Sequence, residues 1–166
     1  MKTTKQLSFL LVFLMGCMMV FGQANNEIPK KVPTFEYINL LKENIFSDKN
    51  LPKKGQTLFI YYTTECIHCQ IAVQHMNDNL EKFKNTNLIF VSTYPKDKVL
   101  EFFDIYGENF KNAKNVTLLL DSNDEFIFNF NPQSFPSFYL YDKDKNLVTY
   151  KKGSLEFRDL FSYLKK

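Results

Sequence analysis

Residues 57–84 place an apolar segment, a pair of cysteines and a helical stripe directly after one another. Thr57 to Tyr62 has the sequence TLFIYY, and such a short, nearly all-apolar run is typical of a strand buried on both faces. From Cys69 onwards the apolar residues recur at spacings of three and four, which predicts a helix to about Lys84. Cys66-Ile67-His68-Cys69 therefore lies where a central strand gives way to the first turn of a helix.

This position gives the two cysteines a specific chemistry. The unpaired N–H groups and the dipole at a helix start stabilise an anion, so the Cys66 thiolate is favoured. A thiolate attacks the disulfide of a partner, and Cys69, which lies deeper on the apolar stripe, would resolve the mixed disulfide. Two cysteines at this spacing can also close a small disulfide of their own. Cys66 and Cys69 are therefore the candidate catalytic residues.

The rest of the chain predicts strands and helices in alternation. Hydrophobic residues make up 45% and charged residues 23% of the sequence, which excludes a disordered chain. The segment 123–131 fits either a helical turn or an irregular loop. The order of the elements implies an α/β sandwich around a mixed sheet. Helices are predicted at 34–46, 98–110 and 155–164, and strands at 87–92, 116–120, 137–141 and 147–151.

Residues 57–84, followed by residues 135–148, resemble thioredoxin-fold proteins, and most closely the exported thiol:disulfide oxidoreductases of the TlpA and ResA kind. Two features match in order: the dicysteine after a buried strand, and Pro136 at the start of the strand before a hairpin. The resemblance covers roughly residues 34–166. It implies a thioredoxin fold, in which helices flank both faces of a central mixed sheet.

The resemblance also implies roles for residues outside the dicysteine. Pro136 is expected to be a cis-proline that faces the two cysteines, and the backbone of Phe135 is expected to pair with the bound substrate chain. Glu65 stands where the family usually has Trp. Ile60 stands where many members carry a buried acid that helps to deprotonate the second cysteine. The rate of resolution by Cys69 therefore depends on whether Glu65 or a water molecule replaces that acid.

His68, directly before the second cysteine, is a candidate for tuning the redox pair. A histidine here can stabilise the thiolate, which stabilises the reduced form and makes the couple more oxidising. We expect a potential above thioredoxin's, about −270 mV, and below that of DsbA, about −120 mV. The alternative is that His68 is an exposed polar residue without consequence for the potential.

The first 22 residues predict an export signal. Lys2 and Lys5 precede an apolar run from Leu7 to Phe21, which is shorter than the ~20 residues that a membrane-spanning helix needs. Cleavage before Gln23 is favoured. Alternatively, Leu14-Met15-Gly16-Cys17 resembles a lipobox, in which case Cys17 would carry a lipid and anchor the protein to a bacterial membrane.

These observations divide the chain into a signal peptide (1–22), a flexible lead-in (23–33) and a thioredoxin-like domain (34–166). Either cleavage takes the domain out of the cytoplasm, and the periplasm is the expected location, where disulfide chemistry is available. Lys2 and Lys5 leave with the signal, so the formal charge falls from +3 to +1. The remaining charges of both signs alternate, which excludes a nucleic-acid-binding surface.

Other chemistries of the cysteines fit the sequence less well. Cys66, His68 and Cys69 have no second ligand pair, so a structural zinc site is not expected. Gln70 stands where haem attachment needs a histidine, the spacing does not suit a Sco-like copper site, and the Pro/Thr motif before a peroxiredoxin's reactive cysteine is absent. No Gly-rich phosphate loop is present, so no organic cofactor is expected.

The sequence thus predicts an exported, monomeric thiol:disulfide oxidoreductase of bacterial origin that contributes to cell redox homeostasis. Its partners would be the thiols and disulfides of proteins or peptides, together with a redox protein that supplies or accepts electrons. Membrane contact is expected only if Cys17 is lipidated. The alternative is a non-catalytic thioredoxin-fold module in which a Cys66–Cys69 disulfide merely holds the first turn of the helix.

Overall fold

A computed structural model describes residues 27–165. The predicted signal, both cleavage sites and Cys17 lie outside the described residues. A single seven-stranded mixed sheet organises the chain, with the strand order β2-β1-β5-β4-β3-β6-β7. The strands are β1 (Glu36–Asn39), β2 (Asn44–Ser47), β3 (Gln56–Tyr61), β4 (Thr86–Ser92), β5 (Val116–Leu120), β6 (Ser137–Tyr141) and β7 (Leu147–Lys152).

Within residues 27–165, four α-helices and several 3-10 segments accompany the strands. The α-helices are α1 (Ile67–Asn77), α2 (Lys96–Tyr106), α3 (Glu125–Phe130) and α4 (Gly153–Glu156). The 3-10 segments are Asp48–Asn50, Leu80–Phe83, Glu108–Asn112 and Phe157–Tyr163. The helices predicted at 69–84, 98–110 and 155–164 therefore each divide into an α-helical part and a 3-10 part. No helix of the described residues is both long enough and apolar enough to cross a membrane.

Strand β3 is the centre of the molecule, since all six of its residues are buried. It pairs in parallel with β4 and antiparallel with β6. Its side chains alternate between two hydrophobic clusters, one on each face of the sheet. Leu58 and Ile60 pack with α1 and α2, whereas Phe59 and Tyr61 pack with α3. The prediction of a thioredoxin fold with helices on both faces is confirmed.

The helix predicted at 34–46 is wrong, because this segment forms a β-hairpin. Its buried residues follow a period of two: Phe35, Tyr37 and Asn39 face inward. The side chains that suggested a helical stripe, Ile38, Leu41 and Ile45, are exposed instead. The turn is closed by the Asn39 side chain, which accepts hydrogen bonds from the N–H groups of Leu41 and Lys42 at 3.1 and 3.0 Å, and by the left-handed backbone of Glu43.

The segment that was ambiguous in sequence, 123–131, contains the short helix α3. The buried Asp121 carboxylate sets its start by accepting hydrogen bonds from the N–H groups of Glu125 (3.0 Å) and Phe126 (2.8 Å). Phe126 and Phe130, one turn apart, fill the space under the sheet. The helix is therefore held by one capping carboxylate and two rings.

Residues 30–32, within the predicted lead-in, run beside the turn between β6 and β7. The Val32 N–H donates to the carbonyl of Lys145 (3.0 Å), and the Leu147 N–H donates to the carbonyl of Lys30 (2.8 Å). Ile28 and Val32 also pack against the cluster that contains Phe59 and Tyr61. This part of the lead-in is thus joined to the domain by backbone hydrogen bonds and apolar contacts.

Candidate functional site: a dicysteine at a helix start

Cys66 is the N-cap residue of α1, and Cys69 lies in the first turn of the same helix. The Cys66 backbone is extended, with φ −88° and ψ 117°, and its carbonyl accepts the first helical bonds, from the N–H groups of Cys69 (2.9 Å) and Gln70 (3.0 Å). Both thiols are free. Cys66 is partly exposed, whereas Cys69 is fully buried in the cluster between α1, α2 and the sheet. Only Cys66 can therefore meet an incoming disulfide.

Burial raises the pKa of the Cys69 thiol well above its ordinary value. A backbone hydrogen bond from Thr63 opposes this effect, while the charge of a Cys66 thiolate and a hydrogen bond to it keep the proton on Cys69. Tyr62, also fully buried, is close enough to Cys69 for the thiolate's charge to add to the effect of burial in raising the tyrosine's pKa. Cys69 is thus a protonated thiol at neutral pH.

Ile60 belongs to the same buried cluster as Cys69 and contributes no proton acceptor. Within residues 27–165 the one acidic side chain in the core is Asp121, which lies at the end of β5 and caps α3. Its charge acts on the other cluster, where burial first and then Asp121 raise the pKa of Tyr61 to about 12. The buried carboxylate of this protein therefore does not serve Cys69.

The Phe135–Pro136 peptide bond is cis, as the resemblance implies. Pro136 directly precedes β6, whose first residue, Ser137, pairs with Tyr61 at the end of β3. The ring of Phe135 packs against that of Tyr61, with centroids 5.0 Å apart, and yet it remains 42% exposed. The loop thus lies at the same end of the sheet as the dicysteine and presents an apolar side chain to solvent.

A corner after β7 connects the cis-proline loop with the dicysteine. The Gly153 N–H donates to the Pro136 carbonyl at 2.8 Å, and the next residue, Ser154, has its hydroxyl 3.1 Å from Nδ1 of His68. Gly153 adopts φ +67°, a left-handed conformation that favours glycine. Gly153 and Ser154 therefore contact Pro136 and His68, respectively.

Glu65 is exposed and lines a groove of about 250 Å³ between the Cys66 loop and α2. Thr64 lines the same groove, and its carbonyl accepts a hydrogen bond from the Gln70 side chain at 3.2 Å, which ties the loop to α1. Lys98 and Glu101 form the opposite rim. Glu65 thus faces charged groups of α2, and no hydrogen bond joins it to Cys69 among the described residues.

The structure therefore groups the predicted site residues around one helix start. Cys66, Cys69 and His68 share the first turn, Pro136 joins them through Gly153, and Glu65 opens onto the groove. The sequence did not reveal the contact between Ser154 and His68, since 86 residues separate the two. Nor does any cluster of three or more His, Cys, Asp or Glu side chains suited to a metal occur within residues 27–165.

The mixed sheet with helices on both faces defines a thioredoxin-like protein, and its two cysteines lie at a helix start. The chain belongs to the AhpC/TSA family, whose model matches residues 28–150. The sequence matches no curated protein.

Solved structures with the same fold resemble the chain at low sequence identity. A putative thiol:disulfide interchange protein DsbE from Chlorobium tepidum superimposes with a TM-score of 0.66 at 15% identity, covering 82% of this chain and 94% of its own. The peroxidoxin BcpB from Mycobacterium tuberculosis gives 0.65 at 14%, with coverages of 82% and 95%. A secreted M. tuberculosis disulfide oxidoreductase homologous to E. coli DsbE gives 0.61 at 16%, with coverages of 78% and 92%.

Proposed function

We propose that the protein is an extracytoplasmic oxidoreductase that exchanges its Cys66–Cys69 pair with the dithiols and disulfides of other proteins. One observation carries the proposal: Cys66 is accessible at the N-cap of α1, while Cys69 is buried one turn further on. A nucleophile must reach its partner, and a resolving thiol must be shielded from competing disulfides. The two cysteines meet these two requirements separately.

In the reducing direction the chemistry takes two steps. The Cys66 thiolate attacks one sulfur of the client disulfide, so the client S–S bond breaks, a Cys66–client bond forms and a client thiolate leaves. Cys69 then loses its proton and attacks the Cys66 sulfur, which releases the second client thiolate. Two electrons pass to the client, and the protein ends with a Cys66–Cys69 disulfide. Oxidation of a client dithiol follows the same steps in reverse.

Roles are assigned to the remaining site residues on the same basis. His68 would tune the stability of the reduced pair, and the backbone of Phe135 beside Pro136 would pair with the client chain. The contact with Ser154 supports the role of His68, since it gives the imidazole a hydrogen-bond partner beside the cis-proline loop. None of the described residues offers a buried carboxylate to assist the deprotonation of Cys69, so we expect resolution to be the slower step at neutral pH.

The proposed location rests on the N-terminal sequence, in which a signal peptide ends before Gln23 or a lipidated Cys17 begins the mature chain. A secreted disulfide oxidoreductase among the similar structures supports an extracytoplasmic place. The mature chain would be a bacterial, periplasmic monomer that works without a bound cofactor. A separate redox protein would then renew its dithiol or disulfide.

Reduction of insulin by dithiothreitol, with and without the mature protein, tests the proposal. We expect acceleration by the wild type and none by Cys66→Ser. The reduced protein should also be tested with hydrogen peroxide as a second oxidant, because a peroxidoxin is among the similar structures. If neither insulin nor any peptide disulfide reacts with the reduced protein, and its disulfide adds only stability, the chain is the non-catalytic module instead.

A further inference from the structure

The groove beside Cys66 has a mixed lining, in which the apolar part comes from three residues of α2: Phe102, Ile105 and Tyr106. Phe102, 3% exposed, forms part of its wall from α2, and Ile105, one turn along, is 64% exposed at its edge. The volume of about 250 Å³ is below the roughly 300–1,000 Å³ of pockets that enclose small-molecule ligands. It suits one large aliphatic side chain of a longer chain that continues outside.

The rim of this groove carries more negative than positive charge. Lys98 is already engaged, since its Nζ lies 3.1 Å from the Glu101 carboxylate. Glu65 lines the groove directly before Cys66 and, with Glu101, outnumbers the one lysine of the lining. Among the described residues Glu65 forms no ion pair. Its carboxylate is therefore open to an incoming cation.

We propose that this groove is a client-recognition subsite, which takes an aliphatic side chain and a neighbouring Lys or Arg close to the client's reactive cysteine. The inference rests on the proposed oxidoreductase function. Glu65 adjoins the attacking Cys66 in sequence, so a client sulfur at Cys66 brings its flanking residues to the groove. The cis-proline loop then aligns the client backbone, and the groove selects among client sequences.

Rates of reduction of synthetic peptide disulfides by the reduced mature protein test this selection. Three peptides differ only beside the reactive cysteine: Leu with Lys, Leu with Glu, and Ser with Lys. Each rate is divided by the rate of the same peptide with dithiothreitol, which removes the effect of the flanking charge on the disulfide itself. We expect the Leu–Lys peptide to react about fivefold faster than Leu–Glu at low salt, and the ratio to fall as salt screens the rim.

Matched variants assign the preference to the groove. Glu65→Lys should bring the ratio of Leu–Lys to Leu–Glu to one or below, whereas Glu81→Lys, an exposed acid in the 3-10 segment after α1, should leave it unchanged. Ile105→Ser should bring the Leu–Lys rate down to that of Ser–Lys. Ile45→Ser serves as its control, because Ile45 is 59% exposed on the edge strand β2.

The outcomes separate this inference from the function on which it rests. Equal normalised rates for all three peptides in the wild type would overturn the groove, and so would an effect of Glu81→Lys as large as that of Glu65→Lys. Failure of the oxidoreductase function would instead appear as no reaction with any peptide and none with 2-hydroxyethyl disulfide, which is small and uncharged.

Discussion

The two cysteines occupy one helical turn but different environments. Cys66 caps the helix at the surface, where the sulfur of another protein can approach it. Cys69 lies among apolar side chains, where burial raises its thiol pKa and where none of the described residues brings a carboxylate. In the proposed mechanism this difference in depth separates the attacking from the resolving thiol within one helical turn. The slower step is then expected at the buried thiol.

We expect the largest effect from removal of either cysteine. Cys69→Ala should accumulate mixed disulfides with client proteins, because the Cys66–client bond then has no internal thiol to open it. Cys66→Ala should accumulate none, since the remaining thiol is buried. Non-reducing electrophoresis of periplasmic extracts after acid quenching measures both. Equal trapping by the two variants would contradict the assigned roles.

The buried thiol should also leave a signature in the dependence of stability on pH. Because burial raises the pKa of the Cys69 thiol, the folded protein holds the thiol proton more tightly than the unfolded chain does. This contribution to the free energy of unfolding is fully present below the unfolded thiol's pKa of about 8.5. It is lost as the pH rises from there towards the pKa of the folded state.

Urea unfolding of both redox forms between neutral pH and pH 10 measures this effect. The reduced form should lose up to about 1.4 kcal/mol per pH unit above pH 9 relative to the disulfide form. The buried tyrosines are present in both forms, so their titration cancels in the difference. Reduced Cys66→Ala should retain the slope. Parallel curves for the two redox forms of the wild type would show that Cys69 is not protected by burial.

A smaller effect is expected from the residue between the two environments, His68. His68→Pro removes an imidazole that favours the thiolate form, so the reduction potential should fall, by about 30 mV, which corresponds to about 1.4 kcal/mol. A glutathione titration of both proteins gives the two potentials. An unchanged potential, or a wild-type value at or below that of thioredoxin, would show that His68 is merely an exposed polar residue.

The smallest effect belongs to the hydroxyl that holds His68. Ser154→Ala removes an exposed hydrogen bond 3.1 Å long, and such bonds contribute about 0.5 kcal/mol, equivalent to roughly 10 mV for this couple. The same change in a His68→Pro background should have no effect on the potential, because the partner is already absent. Equal shifts in both backgrounds would mean that Ser154 acts through the helix instead of the imidazole.

The parts of this molecule that could be predicted from sequence are those with strong local signals. The strand before Cys66 is one continuous apolar run, the helix after it has one apolar stripe, and both elements are present. The segment 34–46 misled because Phe35, Ile38, Leu41 and Ile45 fit a helix while Phe35, Tyr37 and Asn39 fit a strand, and only the partner strand β5 decides between them. The Ser154–His68 contact depends on tertiary structure across 86 residues, which no local pattern encodes.

The hairpin formed by β1 and β2 affects how the edges of the sheet can pair with other chains. Without this hairpin, β5 would be an edge strand of the sheet. Its sequence VTLLL would then expose unpaired backbone groups beside apolar side chains, which promotes aggregation. Strand β1 pairs with the last residues of β5, Leu119 and Leu120, and the outermost strand on that side is the four-residue β2. The opposite edge strand, β7, ends in Lys151 and Lys152. Short strands and charged side chains at a sheet edge disfavour pairing with strands of other proteins. In the proposed function, the extended backbone of a client would therefore pair with the loop at Phe135 and not with either edge of the sheet.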